Sequence, residues 1–372
     1  MQVLSFFEDD VLNKLLNKLL GKRGNRNLLV IFTFAFIGVW LPTYLLTLLD
    51  NKLHGTQEIM FLQDYAAIAQ YLVGIPLFII AIYPIDYEWK RIQFTIINSK
   101  LIEEEDLDPF FQYIQKLRKI GNSYLLFIVL VVITYTVDIG GLVISLTNLE
   151  GYTTTWYMRI NESGNGVLTY AGIFGWLIAI PIFNIIVAYW ASKLIIWIAF
   201  MWKLSKSRLK VIAYHPDKSG GLQFLSQGTV GFTLILFALG IIILTTVIYK
   251  VKYEGLSLND VSVYMLVFGY AIIAPIIFIL PLLFFTKKLY LVRNDGITDF
   301  NRIGIFLYEN RSSLINNNID FNVLNNYSAL GDLTAAYDVV KKMRIWPIDL
   351  VSLSRLFGSA ILPMLPIILQ YF

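Results

Sequence analysis

The chain has 372 residues, 57% of them hydrophobic and 15% charged, with a formal net charge of +4. A soluble domain carries roughly a quarter charged residues, and here the apolar excess sits in blocks of about 20 residues or more, enough to cross a bilayer. Cysteine is absent and histidine occurs only at His54 and His215, so disulfides, thiolate nucleophiles and iron–sulfur ligands are excluded, and no cofactor or metal site is expected.

Residues 1–27 read as an amphipathic helix ahead of the first apolar block. Over residues 3–20, Leu4, Phe7, Val11, Leu12, Leu15, Leu16 and Leu19 fall on one helical face, and Asp9, Asp10, Asn13, Lys14, Asn17 and Lys18 on the other. The expectation is a helix lying in the bilayer interface, its Lys14, Lys18, Lys22 and Arg23 turned to anionic headgroups. The alternative is packing against a partner helix.

Seven apolar segments follow, at about 28–49, 64–85, 122–147, 169–202, 228–249, 262–286 and 352–371. They predict an all-α polytopic membrane protein with seven transmembrane helices. Six lie in a membrane region, 28–286, whose connections 86–121 and 203–227 are helical and cytoplasmic. Residues 287–351 form a further cytoplasmic helical segment, and 352–372 the seventh transmembrane helix. Lys and Arg alternate between the connections, 25 on one side against four on the other, with Lys193 inside a span. The positive-inside rule then puts the N-terminus in the cytoplasm and the C-terminus outside an inner (plasma) membrane. The first segment ends in "LLTLLDNK" without a small-residue cleavage site and reads as a retained span.

In "EEEDLDPFFQYIQKLRKI" (103–120) acidic residues precede a proline and basic ones close the stretch, as a helix dipole favours. The segment "YSALGDLTAAYDVVKKMRIWP" (327–347) is a second such helix, stopped by Pro347. The Asn-rich "LINNNIDFNVLNNYS" (314–328) between them reads as a turn region. Within the membrane, "GWLIAIPIF" (175–183) and "GYAIIAPIIF" (269–278) share a spacing of glycine, aromatic and proline, and "VGIPLF" surrounds Pro76. Repeated hairpins of spans 1–2, 3–4 and 5–6 are one explanation, and chance similarity is the other.

Several residues are candidates for chemistry. Asp138, in the third span, costs about 2.5–3.5 kcal/mol at mid-helix and marks either an ion pathway or a structural hydrogen bond, to Tyr135 or a serine. Lys193 either reaches the depth of Asp138 or snorkels to the cytoplasmic surface, and snorkelling is expected. Pro76, Pro181 and Pro275 free the carbonyls of Leu72, Leu177 and Ala271, with Asn184 one turn below Pro181. Such carbonyls either line a polar cavity or merely accompany a kink. In "IAYHPDKSGGLQFL" (212–225), His215-Pro216 breaks the helix, Asp217 opens a turn, and Gly220 and Gly221 supply unusual backbone angles. The His–Asp pair could act in acid–base chemistry, and a structural or gating turn is expected instead.

No HExxH, GxGD or GxSxG frame occurs and no GK[ST] follows the glycines, so no catalytic residue is assigned and no enzyme is expected.

The C-terminal half resembles a group of bacterial inner-membrane proteins through "HPDKSGGLQFL" (215–225), "LGDLTAAYDVVKKMRIWPIDL" (330–350) and "ILPMLPIIL" (361–369). The resemblance implies that membrane and brings no known activity. The ending "PMLPIILQY" is also similar to the last helix of insect gustatory and odorant receptors, which are seven-helix, N-inside cation channels. It keeps the apolar run and Gln370, while Pro363 and Met364 replace the receptors' Thr-Tyr. With the shared seven-span topology, that similarity makes a homo-oligomeric cation channel in the lipid bilayer the first expectation, and Asp138, Asn184, Lys193 and Gln370 are the residues expected along an ion pathway. A secondary transporter with a site near Asp138, and a membrane-anchored signalling or scaffold protein, are the alternatives. No nucleic acid is expected as a partner.

Overall fold

The structure, a computed structural model, describes residues 3–24, 27–147, 154–161, 164–309 and 321–369. It is all-α apart from one short hairpin, β1 (Met158–Ile160) with β2 (Gly166–Leu168). In chain order the helices are α1 (Val11–Gly24), α2 (Leu28–His54), α3 (Tyr65–Asn98), α4 (Glu104–Gly121), α5 (Tyr124–Thr147), α6 (Tyr170–Lys206), α7 (Phe224–Tyr253), α8 (Val261–Phe306), α9 (Phe321–Lys341) and α10 (Leu350–Ile367). Among the described residues seven of these, α2, α3, α5, α6, α7, α8 and α10, are long and apolar enough to cross a membrane. The chain is a multi-pass membrane protein. Its Lys- and Arg-rich connections gather at one end of the bundle, called the basic end below.

The three sequential pairs, α2 with α3, α5 with α6 and α7 with α8, pack as neighbours. Helix α6 is central and touches α2, α3, α4, α5 and α8. The core between α3, α6, α7 and α8 is aromatic. Trp89 stacks on Trp197 at 5.2 Å, Phe232 stacks on Phe278 at 4.6 Å, and Trp190 lies edge-on to Phe232. Such rings bury large areas and hold defined mutual geometries. Gly228 makes the packing possible, since a Cβ there would sit 2.4 Å from the Trp197 ring. Helix α5 is the opposite case. Of its 24 residues only Thr134 and Asp138 are buried, and it leans on α6 with its other faces bare.

Three spans carry a π-helical turn directly before a proline: Phe36–Trp40 before Pro42, Gln70–Gly74 before Pro76, and Gly175–Ala179 before Pro181. The N–H groups of Leu41, Ile75 and Ile180 reach back five residues, to the carbonyls of Phe36, Gln70 and Gly175. A proline cannot supply the next N–H, and the wider turn absorbs the misfit. The similar string in α8 behaves differently. Pro275 stays inside regular α-helix, and a 3-10 stretch follows at Leu280–Phe285. The two glycine–aromatic–proline strings therefore do not share local geometry.

The N-terminal segment departs from expectation. Residues 3–10 are not helical, because side chains take the backbone N–H groups that a helix would use. Ser5 Oγ accepts from Phe7 and Glu8, at 3.1 and 2.9 Å, and Asp10 Oδ1 accepts from Leu12 at 2.8 Å. Nor does the segment only rest on a membrane surface. Phe6, Phe7, Asp10, Val11, Leu12 and Leu16 are buried in the protein, while Lys14, Leu15, Lys18 and Leu19 stay exposed. Leu4 is clamped by the Gln93 amide, which accepts from its N–H at 3.1 Å and donates to its carbonyl at 2.8 Å.

Helix α4 follows its sequence signature, with Glu104, Glu105 and Asp106 in the first turn and Arg118 and Lys119 in the last. The Asn-rich stretch is helical from Phe321 onward, contrary to the turn reading, and residues 310–320 lie outside the described residues. Helix α8 continues past its apolar part, so the helical segment beyond residue 286 is an extension of the sixth span.

Candidate functional site

Asp138 on α5 is buried and faces α6, where Asn184 Nδ2 donates to its Oδ1 at 2.7 Å. The sequence suggested Tyr135 or a serine as partner, but Tyr135 has another role. Its hydroxyl donates at 3.0 Å to the carbonyl of Leu177, the group that Pro181 deprives of a helical N–H. That freed carbonyl is thus occupied and does not line a cavity. The second carboxylate oxygen of Asp138, Oδ2, is buried and has no hydrogen-bond partner among the described residues. A carboxylate in apolar surroundings with one lone oxygen is short of a donor, a proton or a cation.

Lys193 does not snorkel. It is fully buried, and its Nζ pairs with Asp10 Oδ2. It also donates to the carbonyls of Phe6 and Gly121, at 3.1 and 3.2 Å, and to Asn122 Oδ1 at 3.3 Å. The rings of Phe7 and Tyr189 each stand 5.1 Å from the ammonium. An ammonium has three donors, and here acceptors from two parts of the chain, the N-terminal segment and the α4–α5 junction, satisfy them. Asp10, read beforehand as a solvated polar-face residue, is the counter-ion. Lys193 also does not share the layer of Asp138, because nine residues separate it from Asn184, about 13 Å along the helix.

His215, Asp217, Gly220 and Gly221 are brought together in one turn at the basic end. Asp217 Oδ1 accepts from the N–H groups of Ser219 and Gly221, at 2.8 and 3.0 Å, and Oδ2 from Gln223 at 3.1 Å. His215 Nδ1 lies 2.8 Å from Oδ1. Burial alone would raise the Asp217 carboxyl, but these backbone donors and His215 outweigh it and hold it below the usual carboxylate range. Gly220 and Gly221 adopt φ of 66° and 87°, which a side chain resists.

The turn is also a junction. Arg344 donates to the carbonyls of Asp217 at 2.9 Å and Ile348 at 2.7 Å, and its own N–H reaches the Lys218 carbonyl at 2.7 Å. Ser226 Oγ donates to Asp349, which caps α10 through the Ser352 N–H at 3.1 Å. The two separated strings "HPDKSGGLQFL" and "KKMRIWPIDL" thus form one structural unit.

Asp50 is a group the sequence reading passed over. It is 1% exposed near the far end of α2, both its oxygens lack a hydrogen-bond partner among the described residues, and His54 Nδ1 lies 3.3 Å away. Thr43 and Thr47 continue a buried polar stripe below it, each hydroxyl bonded to the carbonyl four residues back. Polar residues at helical spacing, 43, 47, 50 and 54, carry the signal in the sequence.

Among the described residues no group of three or more His, Asp and Glu is placed to hold a metal ion. Gln370 lies outside the described residues. The chain matches no protein-family model, no curated protein and no solved structure. Its class, a seven-span all-α membrane protein, therefore rests on its own helices.

Proposed function

We propose that this chain moves cations across the membrane, with its N-terminus and basic connections in the cytoplasm of an inner membrane, and that it performs no catalysis. The observation that carries the reading is the buried Asp138 carboxylate, with Asn184 on one oxygen and no partner among the described residues on the other. A cation or proton visiting Oδ2 would relieve the desolvated charge, which is the usual reason an ionisable group persists in a span. Asp138 faces its own α6, which supports a path inside one chain, as in a secondary transporter. The π turns of α2, α3 and α6 support it too, since such turns often mark moving or functional parts of helices.

The homo-oligomeric channel is the second reading. It is favoured by the bare faces of α5, on which a second copy could pack. Lys193 is withdrawn from either pathway, because Asp10 and three further acceptors saturate it.

The test is cation flux into proteoliposomes. Asp138→Asn keeps the shape and removes the charge, so flux should fall or lose its pH dependence while the protein still folds. Wild-type flux matched by Asp138→Asn across the pH range would refute the pathway and leave Asp138 a packing clasp. Particle symmetry in detergent separates the two readings: a single copy that conducts supports the transporter, and a ring around a shared axis supports the channel.

A further inference from the structure

At the basic end a cavity of about 440 Å³ opens between the N-terminal segment and the α4–α5 junction. Lys14 and Asp9 form one wall, and Gln115, Arg118, Lys119 and Asn122 the other. Three cations face a single carboxylate, and Asp9 is already engaged by Arg118. Behind the walls, Arg118 Nε and Asn122 Nδ2 are buried and have no acceptor among the described residues. Buried donors without partners are uncommon, and each calls for an explanation.

The surroundings say what kind of molecule the cavity would take. The cavity sits where α5 begins, and α5 is a candidate membrane span. Beyond it Tyr124, Leu125, Ile128, Val129 and Val132 are all exposed, an apolar strip along the membrane part of α5. Lys14 Nζ lies 5.9 Å from the Tyr124 ring, at the boundary between the basic cavity and the apolar strip.

We propose that this cavity binds the phosphate headgroup of an anionic phospholipid, whose acyl chains lie along the exposed strip of α5. A phosphate diester brings a negative charge and unprotonated oxygens, which suit Lys14, Lys119 and Arg118. The strip provides the apolar surface that a free anion would not need. The site touches the buried lysine, because Asn122 Oδ1 accepts from Lys193 and Asp9 precedes Asp10. A bound headgroup therefore braces the docked N-terminal segment.

The experiment compares the full chain in neutral detergent with added phosphatidylglycerol, phosphatidylcholine or inorganic phosphate, reading the melting temperature and the lipid retained in native mass spectrometry. Phosphatidylglycerol should raise the melting temperature and be retained, while phosphatidylcholine and inorganic phosphate should do neither. The doubly substituted Lys14→Ala, Lys119→Ala protein should fold, as both side chains are exposed, and should lose the phosphatidylglycerol effect. Equal stabilisation by phosphatidylcholine, or an undiminished phosphatidylglycerol effect in the double variant, would overturn the site. An equal shift from inorganic phosphate would overturn the lipid as its occupant.

Discussion

Asp10 and Lys193, 183 positions apart in sequence, form an ion pair with side chains only 2% and 0% exposed. The pair joins the non-helical N-terminal segment to the middle of α6, and the Phe6 carbonyl adds a second tie to the same ammonium. Removing one partner from such a pair leaves an uncompensated buried charge, which costs about 3–5 kcal/mol. Lys193→Met should therefore destabilise the protein strongly in thermal melts. Combining it with Asp10→Asn should recover part of the loss. A double variant no more stable than Lys193→Met would show that the two groups are not coupled.

Gly172 is the most confined glycine of the far end. A Cβ there would lie 1.9 Å from the Tyr157 carbonyl oxygen, and backbone on backbone has no rotamer to give way. Gly172→Ala should cost about 2 kcal/mol or more, within the range for overpacking. Gly140→Ala on α5, where nothing lies within 4 Å, should be neutral or slightly stabilising. Comparable melting temperatures for the two variants would contradict the close approach of the Tyr157 backbone to α6.

The Asp217 turn predicts a pH effect of definite sign. Its folded carboxyl titrates below the unfolded value of about 3.9. The charged form is thus favoured by folding, and its contribution is fully present above the unfolded value. It is lost as pH falls through the folded one. Asp217→Asn should be less stable than wild type at pH 7 by about 1–3 kcal/mol, the cost of losing hydrogen bonds to a charged acceptor. The gap should close in melts taken progressively below pH 4. A gap that stays constant down to pH 2 would assign the loss to shape instead of charge.

Tyr135→Phe removes the only hydroxyl found on the Leu177 carbonyl among the described residues. The expected loss is about 1 kcal/mol. It should leave cation flux per folded protein unchanged, in contrast to Asp138→Asn. Flux lost equally in both variants would point to the α5–α6 contact as a whole.

Orientation is open to direct measurement because the chain has no native cysteine. Thr56→Cys and Lys210→Cys place thiols at exposed positions at opposite ends of the bundle. In intact cells an impermeant thiol reagent should label the first and not the second. The reverse pattern would invert the topology inferred from the basic connections.

The seven spans were legible because membrane crossing demands long apolar runs, a constraint written locally in composition. The ends of α4 were legible for a similar reason, as charges matched to a helix dipole are neighbours in sequence. What tertiary contact decides was hidden. Nothing near Asp10 announces a lysine 183 residues away, and an aspartate beside Lys14 reads as one more solvated charge. The expectation that Lys193 snorkels failed on the same ground. The π turns were half visible: the prolines marked the places, but Pro275 shows that a proline alone does not select a π turn. The junction of Asp217 with Arg344 was present only as two strings that shared a resemblance, with no sign that they touch.

Helix α8 runs without a break in helicity for 46 residues, about 69 Å, more than twice the thickness of a hydrocarbon core. Beyond Thr286 it packs against the connections at the basic end, where Leu289 is buried, Arg293 holds the Lys341 carbonyl and Lys288 the Ser207 carbonyl. The tighter winding at Leu280–Phe285 sits near the middle, in the position of a fulcrum. On such a boom a tilt of about 10° within the bilayer displaces the outer tip by roughly 6 Å. Motion too small to reorganise the core could in this way be read at a distance from the membrane, and force applied to the tip would be delivered back to Pro275 and the helices packed around it.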